Sequence, residues 1–227
     1  MKTHLLLFFA LLVSGIATAQ TTFGVRAGFG KTSLRSGNTF DAITDRTVGV
    51  GVPSFGFFAE LPVTDYISLR PGLELTKRGT GVALTDEVEL AGVKLPLGAF
   101  AKTRFSYLEA PLLVQFNLPT ESAIQPYAIL GPSVGYATGG KVTTSAKAII
   151  ELNLYSTDID LDAINYQRFN LAVIGGMGAR ARVGQHNALF LEARYAYDLS
   201  QPYDVPVIKD KVGFQGWNIG AGMSFAL

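Results

Sequence analysis

Gly28-Phe29-Gly30-Lys31-Thr32-Ser33 ends as a phosphate-binding loop ends, with glycine amides and a lysine ammonium available to phosphate oxygens. That chemistry also needs glycine at position 25, where valine stands, and a helix to follow. A strand-like stretch precedes instead and a polar stretch follows, so the glycines read as small-residue positions of a strand. Asp158-Ile159-Asp160-Leu161-Asp162 opens like a calcium loop, but its sixth position is Ala163 and its twelfth Phe169, which excludes an EF-hand. A looser cation site stays open there, beside a strand extension with one acidic face. Hydrolase chemistry of the Ser-His-acid kind needs a histidine base. Apart from His4 near the start, His186 is the only histidine, and it falls in a tight turn. No catalytic, cofactor-binding or metal-ligating residues are assigned, no cofactor is expected, and the reading is non-enzymatic.

The elements around these residues carry more information. Lys2 precedes an apolar run, Leu5 to Val13, and Ala17-Thr18-Ala19 fits the small-x-small cleavage pattern. Residues 1–19 therefore read as a signal peptide and 20–227 as one domain. The run is too short to span a bilayer. Cysteine is absent, so stability must come from hydrogen-bonded sheet and packing rather than disulfides. Removing Lys2 leaves 18 Lys+Arg against 18 Asp+Glu. A neutral chain without a basic run has no electrostatic footprint for nucleic acid.

Period-two alternation then recurs along the chain. Strands are expected at about 22–34, 53–61, 67–76, 104–117, 125–136, 166–183, 188–199 and 212–227. The clearest alternates Ile67, Leu69, Pro71, Leu73 and Leu75 with Ser68, Arg70, Gly72, Glu74 and Thr76. The fifth is apolar on both faces, so periodicity cannot orient it. Long excursions at 35–51, 79–102, 137–165 and 200–211 alternate with tight turns near Asp65, Thr120 and Gln185. Eight strands, long loops on one side and short turns on the other describe an antiparallel up-and-down transmembrane β-barrel. Its long loops would be extracellular and its turns periplasmic, in the bacterial outer membrane.

A soluble eight-stranded barrel would show similar alternation with the faces reversed. The polar face here mixes Gly, Ala, Asn and Ser with isolated Arg and Glu, which suits a narrow lumen filled by side chains. The other face carries Phe, Leu, Val and Ile, with Tyr and Trp towards strand ends, as lipid contact requires. The alternation points Arg26, Arg70, Arg180, Arg182 and Arg194 inward with Glu60, Glu74, Glu109, Glu192 and Asp198. In a hairpin closed by residues 184–187, Arg180 and Glu192 can come opposite each other. The expected interior is therefore plugged and charge-networked.

Several strings resemble the outer-membrane β-barrel domain family common in Bacteroidota, the PorT-like group. They are Phe23-Gly24-Val25-Arg26-Ala27-Gly28, Tyr107-Leu108-Glu109-Ala110-Pro111-Leu112-Leu113, Gln125-Pro126-Tyr127-Ala128-Ile129-Leu130-Gly131-Pro132 and Gly220-Ala221-Gly222-Met223-Ser224-Phe225. Their order spans essentially the whole mature chain. The resemblance implies an eight-stranded outer-membrane barrel, mostly of unassigned function, with one branch supporting protein secretion. Phe225 near the end is similar to the signal read by the barrel-insertion machinery, although Leu227 follows it. The expected role is structural or through extracellular-loop interactions with a protein partner, in contact with outer-membrane lipid. The alternatives are a narrow passive channel or an accessory of a secretion or envelope apparatus.

Overall fold

A computed structural model describes residues 21–35, 47–90, 93–120, 122–147, 151–202 and 213–226. The signal peptide expected at 1–19 lies outside them, as do most of the first and fourth excursions. The strands are β1 (Thr22–Arg35), β2 (Thr47–Pro62), β3 (Ile67–Leu90), β4 (Val93–Asn117), β5 (Ile124–Lys147), β6 (Glu151–Ile159), β7 (Phe169–Val183), β8 (Asn187–Asp198) and β9 (Gly213–Ala226). Pairing runs β4-β3-β2-β1-β9-β8-β7-β5, and β4 pairs with β5 to close the ring. The result is a closed eight-stranded antiparallel barrel, with β6 attached outside the ring to the far half of β5. Closure pairs the backbone of every wall strand, the condition for placing sheet in hydrocarbon.

Two of the excursions expected as loops are strand instead. β3 and β4 stay in register up to Leu90 opposite Val93, so most of 79–102 is a hairpin. Residues 140–147 of β5 pair with β6, so among the described residues of this stretch about 160–168 are irregular, on the return to β7. The inward-outward contrast fades beyond the barrel rim, but β-branched residues such as Thr80, Val82, Val142, Thr143 and Thr144 keep the pairing going. β3 and β4 have 24 and 25 residues. A tilted strand crosses the hydrocarbon in about 9–11 residues, so roughly half of this hairpin stands outside.

The faces settle which solvent the wall meets. Met177, Phe29 and Leu191 are 71 %, 61 % and 60 % exposed on the outer wall, whereas Arg26, Arg70 and Glu192 are buried inside. Charges in and apolar groups out is the lipid-facing arrangement and excludes the soluble barrel. β5, ambiguous by periodicity, turns Tyr127 and Ile129 into the lumen and Leu130, Val134 and Tyr136 outward. The interior is thus less purely polar than the alternation suggested. Phe58, Leu113, Tyr127, Ile129, Ile174 and Phe190 form an apolar cluster within it.

Candidate functional site

The lumen side chains are arranged in tiers. Nearest the turns, Arg180 holds Glu60 with two hydrogen bonds, Nη1 to Oε2 at 2.9 Å and Nη2 to Oε1 at 3.0 Å. Ser68 and the Gln115 amide also donate to this carboxylate, at 3.1 and 3.0 Å. Asn117 Oδ1 accepts from Arg180 at 2.6 Å and from Gln115 at 2.8 Å. The Glu60 charge is therefore fully engaged, as a buried carboxylate must be.

Glu192 anchors the middle tier. Arg70 reaches it at 2.6 Å and Arg26 at 3.2 Å, Arg194 also pairs with it, and Tyr127 donates at 3.0 Å. Glu74 shares two of these cations, Arg26 at 3.2 Å and Arg194 at 2.9 Å. The Arg70 guanidinium lies 3.6 Å over the Phe58 ring and donates to Gln115 at 3.2 Å, which ties the middle tier to the lower one. Arg26 fits because its neighbours lack side chains. A Cβ at Gly220 would stand 2.5 Å from its Cζ, and one at Gly28, directly across the β1–β9 pair, 3.0 Å from its Nη1. These positions, not phosphate binding, account for glycine at 28.

In the upper tier Arg78 donates to Glu109 from Nε at 2.9 Å and Nη2 at 2.7 Å, and it also pairs with Asp198. Above it Phe105, Tyr107, Ala137, Leu161, Tyr166 and Phe214 pack together. Leu161 and Tyr166 belong to the β6–β7 connection, which folds back into the mouth. The Tyr166 amide donates to Leu161 O at 2.9 Å, Asn165 takes the left-handed conformation at φ 49°, and the Tyr166 ring stacks on Phe105 at 4.4 Å. The Tyr107 and Tyr166 hydroxyls are hydrogen-bonded to each other.

Nine of the ten charges named from the alternation meet in this network. Arg182 does not; it is exposed and lines a polar vestibule of about 740 Å³ at the turn side. Arg78 takes its place, so the network holds five arginines and five carboxylates. Arg78 was legible as the next even position of the third strand, had that strand been carried past Thr76. The expected Arg180–Glu192 pair is not formed. Three residues, Gly184 to His186, close the hairpin instead of four, with Gly184 at φ 76°. That register sets Arg180 opposite Phe190 and Glu192 opposite Gly178, and Arg180 crosses the lumen to Glu60 instead.

Gaps between the tiers are small. Two of about 10 Å³ adjoin Arg70 and one of about 60 Å³ lies above Arg26 and Arg194. A single water needs about 10–15 Å³. The acidic string 158–162 disperses to separate partners: Asp158 to Lys141, Asp160 to the amides of Asp162 and Ala163, and Asp162 to Arg168 at 2.8 Å. Among the described residues no three His, Cys, Asp or Glu side chains gather as a cation site. His186 lies in the vestibule at the end away from the hairpins.

A closed barrel with an apolar exterior and a salt-bridged interior defines an integral protein of the bacterial outer membrane. Residues 18–203 match the family described as outer membrane protein beta-barrel domain, and the chain belongs to that family. Among solved structures it is similar to the outer membrane protein OprG from Pseudomonas aeruginosa (17 % identity, 92 % of this chain and 97 % of that one, TM-score 0.49). It is also similar to Ail, the attachment invasion locus protein of Yersinia pestis (13 %, 91 % and 99 %, 0.40), and to Neisserial surface protein A (14 %, 90 % and 97 %, 0.38). No curated protein matches it.

Proposed function

We propose that the protein is a non-enzymatic, non-conducting outer-membrane barrel that acts through its protruding hairpins and stabilises the envelope. The observation that carries this reading is the tiered lumen. Ion pairs link opposite walls at three levels, the β6–β7 connection packs into one mouth, and among the described residues the gaps beside Arg26, Arg70 and Arg194 are of about 10 to 60 Å³. Chemistry or passage through such an interior would require breaking buried charge pairs, which is costly.

The activity then belongs to what stands outside. β3, β4, β5 and β6 form a continuous sheet beyond the rim, and among the described residues β6 pairs only with β5. Its other edge offers unpaired backbone groups, a template for an added strand. Leu154 and Tyr155 are 66 % and 68 % exposed on it. Placement in the PorT-like group of Bacteroidota, and cleavage of residues 1–19 before assembly, belong to the same proposal; the four strings and the leader pattern support them.

Planar bilayers test the closed interior. Purified protein should give no stable, uniform conductance. Reproducible open-channel steps that Arg70→Ala enlarges would refute the plugged lumen. A photo-crosslinker at Tyr155 in native membranes should capture a defined protein; capture of lipid alone would leave the barrel structural.

A further inference from the structure

The outer wall carries an unassigned basic patch where the apolar belt ends. In one row across β3, β4, β5 and β7, Leu75, Leu108, Tyr136 and Phe169 are paired neighbours, all exposed. The next outward row is Lys77, Ser106 and Gly139, and the one beyond is Gly79, Arg104 and Lys141. Arg104 and Lys141 thus stand directly opposite each other, a like-charged cross-strand pair that is unfavourable by itself. Lys77 lies diagonal to Arg104, about 7–8 Å away by strand geometry. Between them the floor is small, and a side chain added at Gly139 would meet open space.

Among the described residues little neutralises this patch. Among the described residues Lys77 and Arg104 have no acidic partner. Lys141 faces Asp158 at 3.5 Å, but both are largely exposed, so the pair is weak. The opposite end of the belt differs. There the described cations are Arg180 and Arg182, and both line the vestibule inside the barrel. Among the described residues, outward-facing cations therefore mark one leaflet only, the one on the hairpin side.

We propose that this patch binds the phosphorylated headgroup of a glycolipid in the outer leaflet. Lys77, Arg104 and Lys141 contact phosphate oxygens while Leu75, Leu108 and Tyr136 meet the acyl chains. Charge complementarity selects the phosphate, and the patch is continuous with the lipid-facing belt, so one molecule reaches both. The inference rests on the outer-membrane barrel reading and adds to it a headgroup preference.

Native mass spectrometry of the protein purified in detergent tests this, with bisphosphorylated lipid A and its dephosphorylated form as probes. Wild type should retain the bisphosphorylated form preferentially. A cation near an anionic lipid surface is worth about a factor of five, so Lys77→Gln/Arg104→Gln/Lys141→Gln should bind about a hundredfold more weakly. Heat-modifiable migration on gels reports whether the variant is folded. If it is not, Lys141→Gln alone should weaken retention about fivefold, and raised salt should weaken it for wild type but not for the dephosphorylated lipid. Excess inorganic phosphate should not displace the lipid. Equal retention of both lipids, no loss in the folded variants, or full displacement by inorganic phosphate would overturn the proposal. Equal retention of both lipids with normal folding would leave the barrel reading intact.

Discussion

Arg180 and Glu60 meet across the lumen in a two-bond clasp although 120 residues separate them in the chain. Their strands, β7 and β2, are not neighbours in the sheet, so the contact exists only because the barrel closes. A guanidinium fork can hold both carboxylate oxygens, which a lysine ammonium cannot. Removing one partner of a buried pair typically costs about 3–5 kcal/mol. Glu60→Ala should fall in that range. Arg180 borders the vestibule and keeps 17 % exposure, so Arg180→Ala should sit at the low end. Denaturant unfolding in micelles measures both, and losses under about 1 kcal/mol would show that water substitutes freely for the clasp.

Glu192 should matter more than Glu60. Three guanidiniums, those of Arg26, Arg70 and Arg194, converge on it. Glu192→Ala leaves them mutually repelling, with Glu74 the nearest remaining carboxylate. The expected loss exceeds that of Glu60→Ala, and a second change of Arg70 to Met should recover part of it. An unfolding series of the two singles and the double settles the order; Glu192→Ala milder than Glu60→Ala would place the network's centre elsewhere.

The two faces of β3 should respond differently to the same substitution. Leu73 is 50 % exposed on the outer wall. Leu73→Arg should cost about 2–4 kcal/mol if it lies near the bilayer midplane. Gly72→Arg fails for a steric reason, since even a Cβ there would stand 3.0 Å from the Phe57 carbonyl oxygen and 3.4 Å from Phe58 and Pro111 side-chain atoms. Folding yield into vesicles of varied thickness separates the cases. Only the Leu73 penalty should depend on lipid, and an unaffected Leu73→Arg would deny that this face meets hydrocarbon.

Gly220 is a second steric site. Gly220→Val should displace Arg26 from Glu74 and Glu192 and cost about 1–3 kcal/mol, the usual range for overpacking. Gly184→Ala tests backbone rather than space, because nothing lies within 4 Å of a Cβ there and the cost comes from φ 76°. It should be near 1 kcal/mol. Thermal unfolding of both variants gives the comparison; a neutral Gly220→Val would mean Arg26 can find another seat.

Protease shaving of intact cells checks orientation. Cuts should fall on the hairpin side, between β1 and β2, β3 and β4, β5 and β6, and β8 and β9, and the turns at 63–66, 118–123 and 184–186 should be spared. Cleavage near Gln185 in sealed cells would invert the barrel.

Period-two alternation alone determined that this chain is sheet and that small and charged residues share one face. Spacing of long and short connections determined eight wall strands, with the start of the first and the end of the last on the turn side. These follow because side-chain direction alternates with every residue and because short turns allow only antiparallel neighbours. What lay beyond reach depends on distances no local pattern encodes. Whether 79–102 was loop or hairpin turned on backbone pairing, which continues after the apolar contrast has faded. Arg78 rather than Arg182 joined the network because position along the barrel axis decides burial, and Arg182 falls where the lumen widens into the vestibule. Arg180 found Glu60 instead of Glu192 because the register set by the Gly184–His186 turn puts Phe190, two residues short of Glu192, opposite Arg180. Partners within the lumen were set by closure of the ring, which brings together side chains from strands that are not neighbours in sequence or in the sheet.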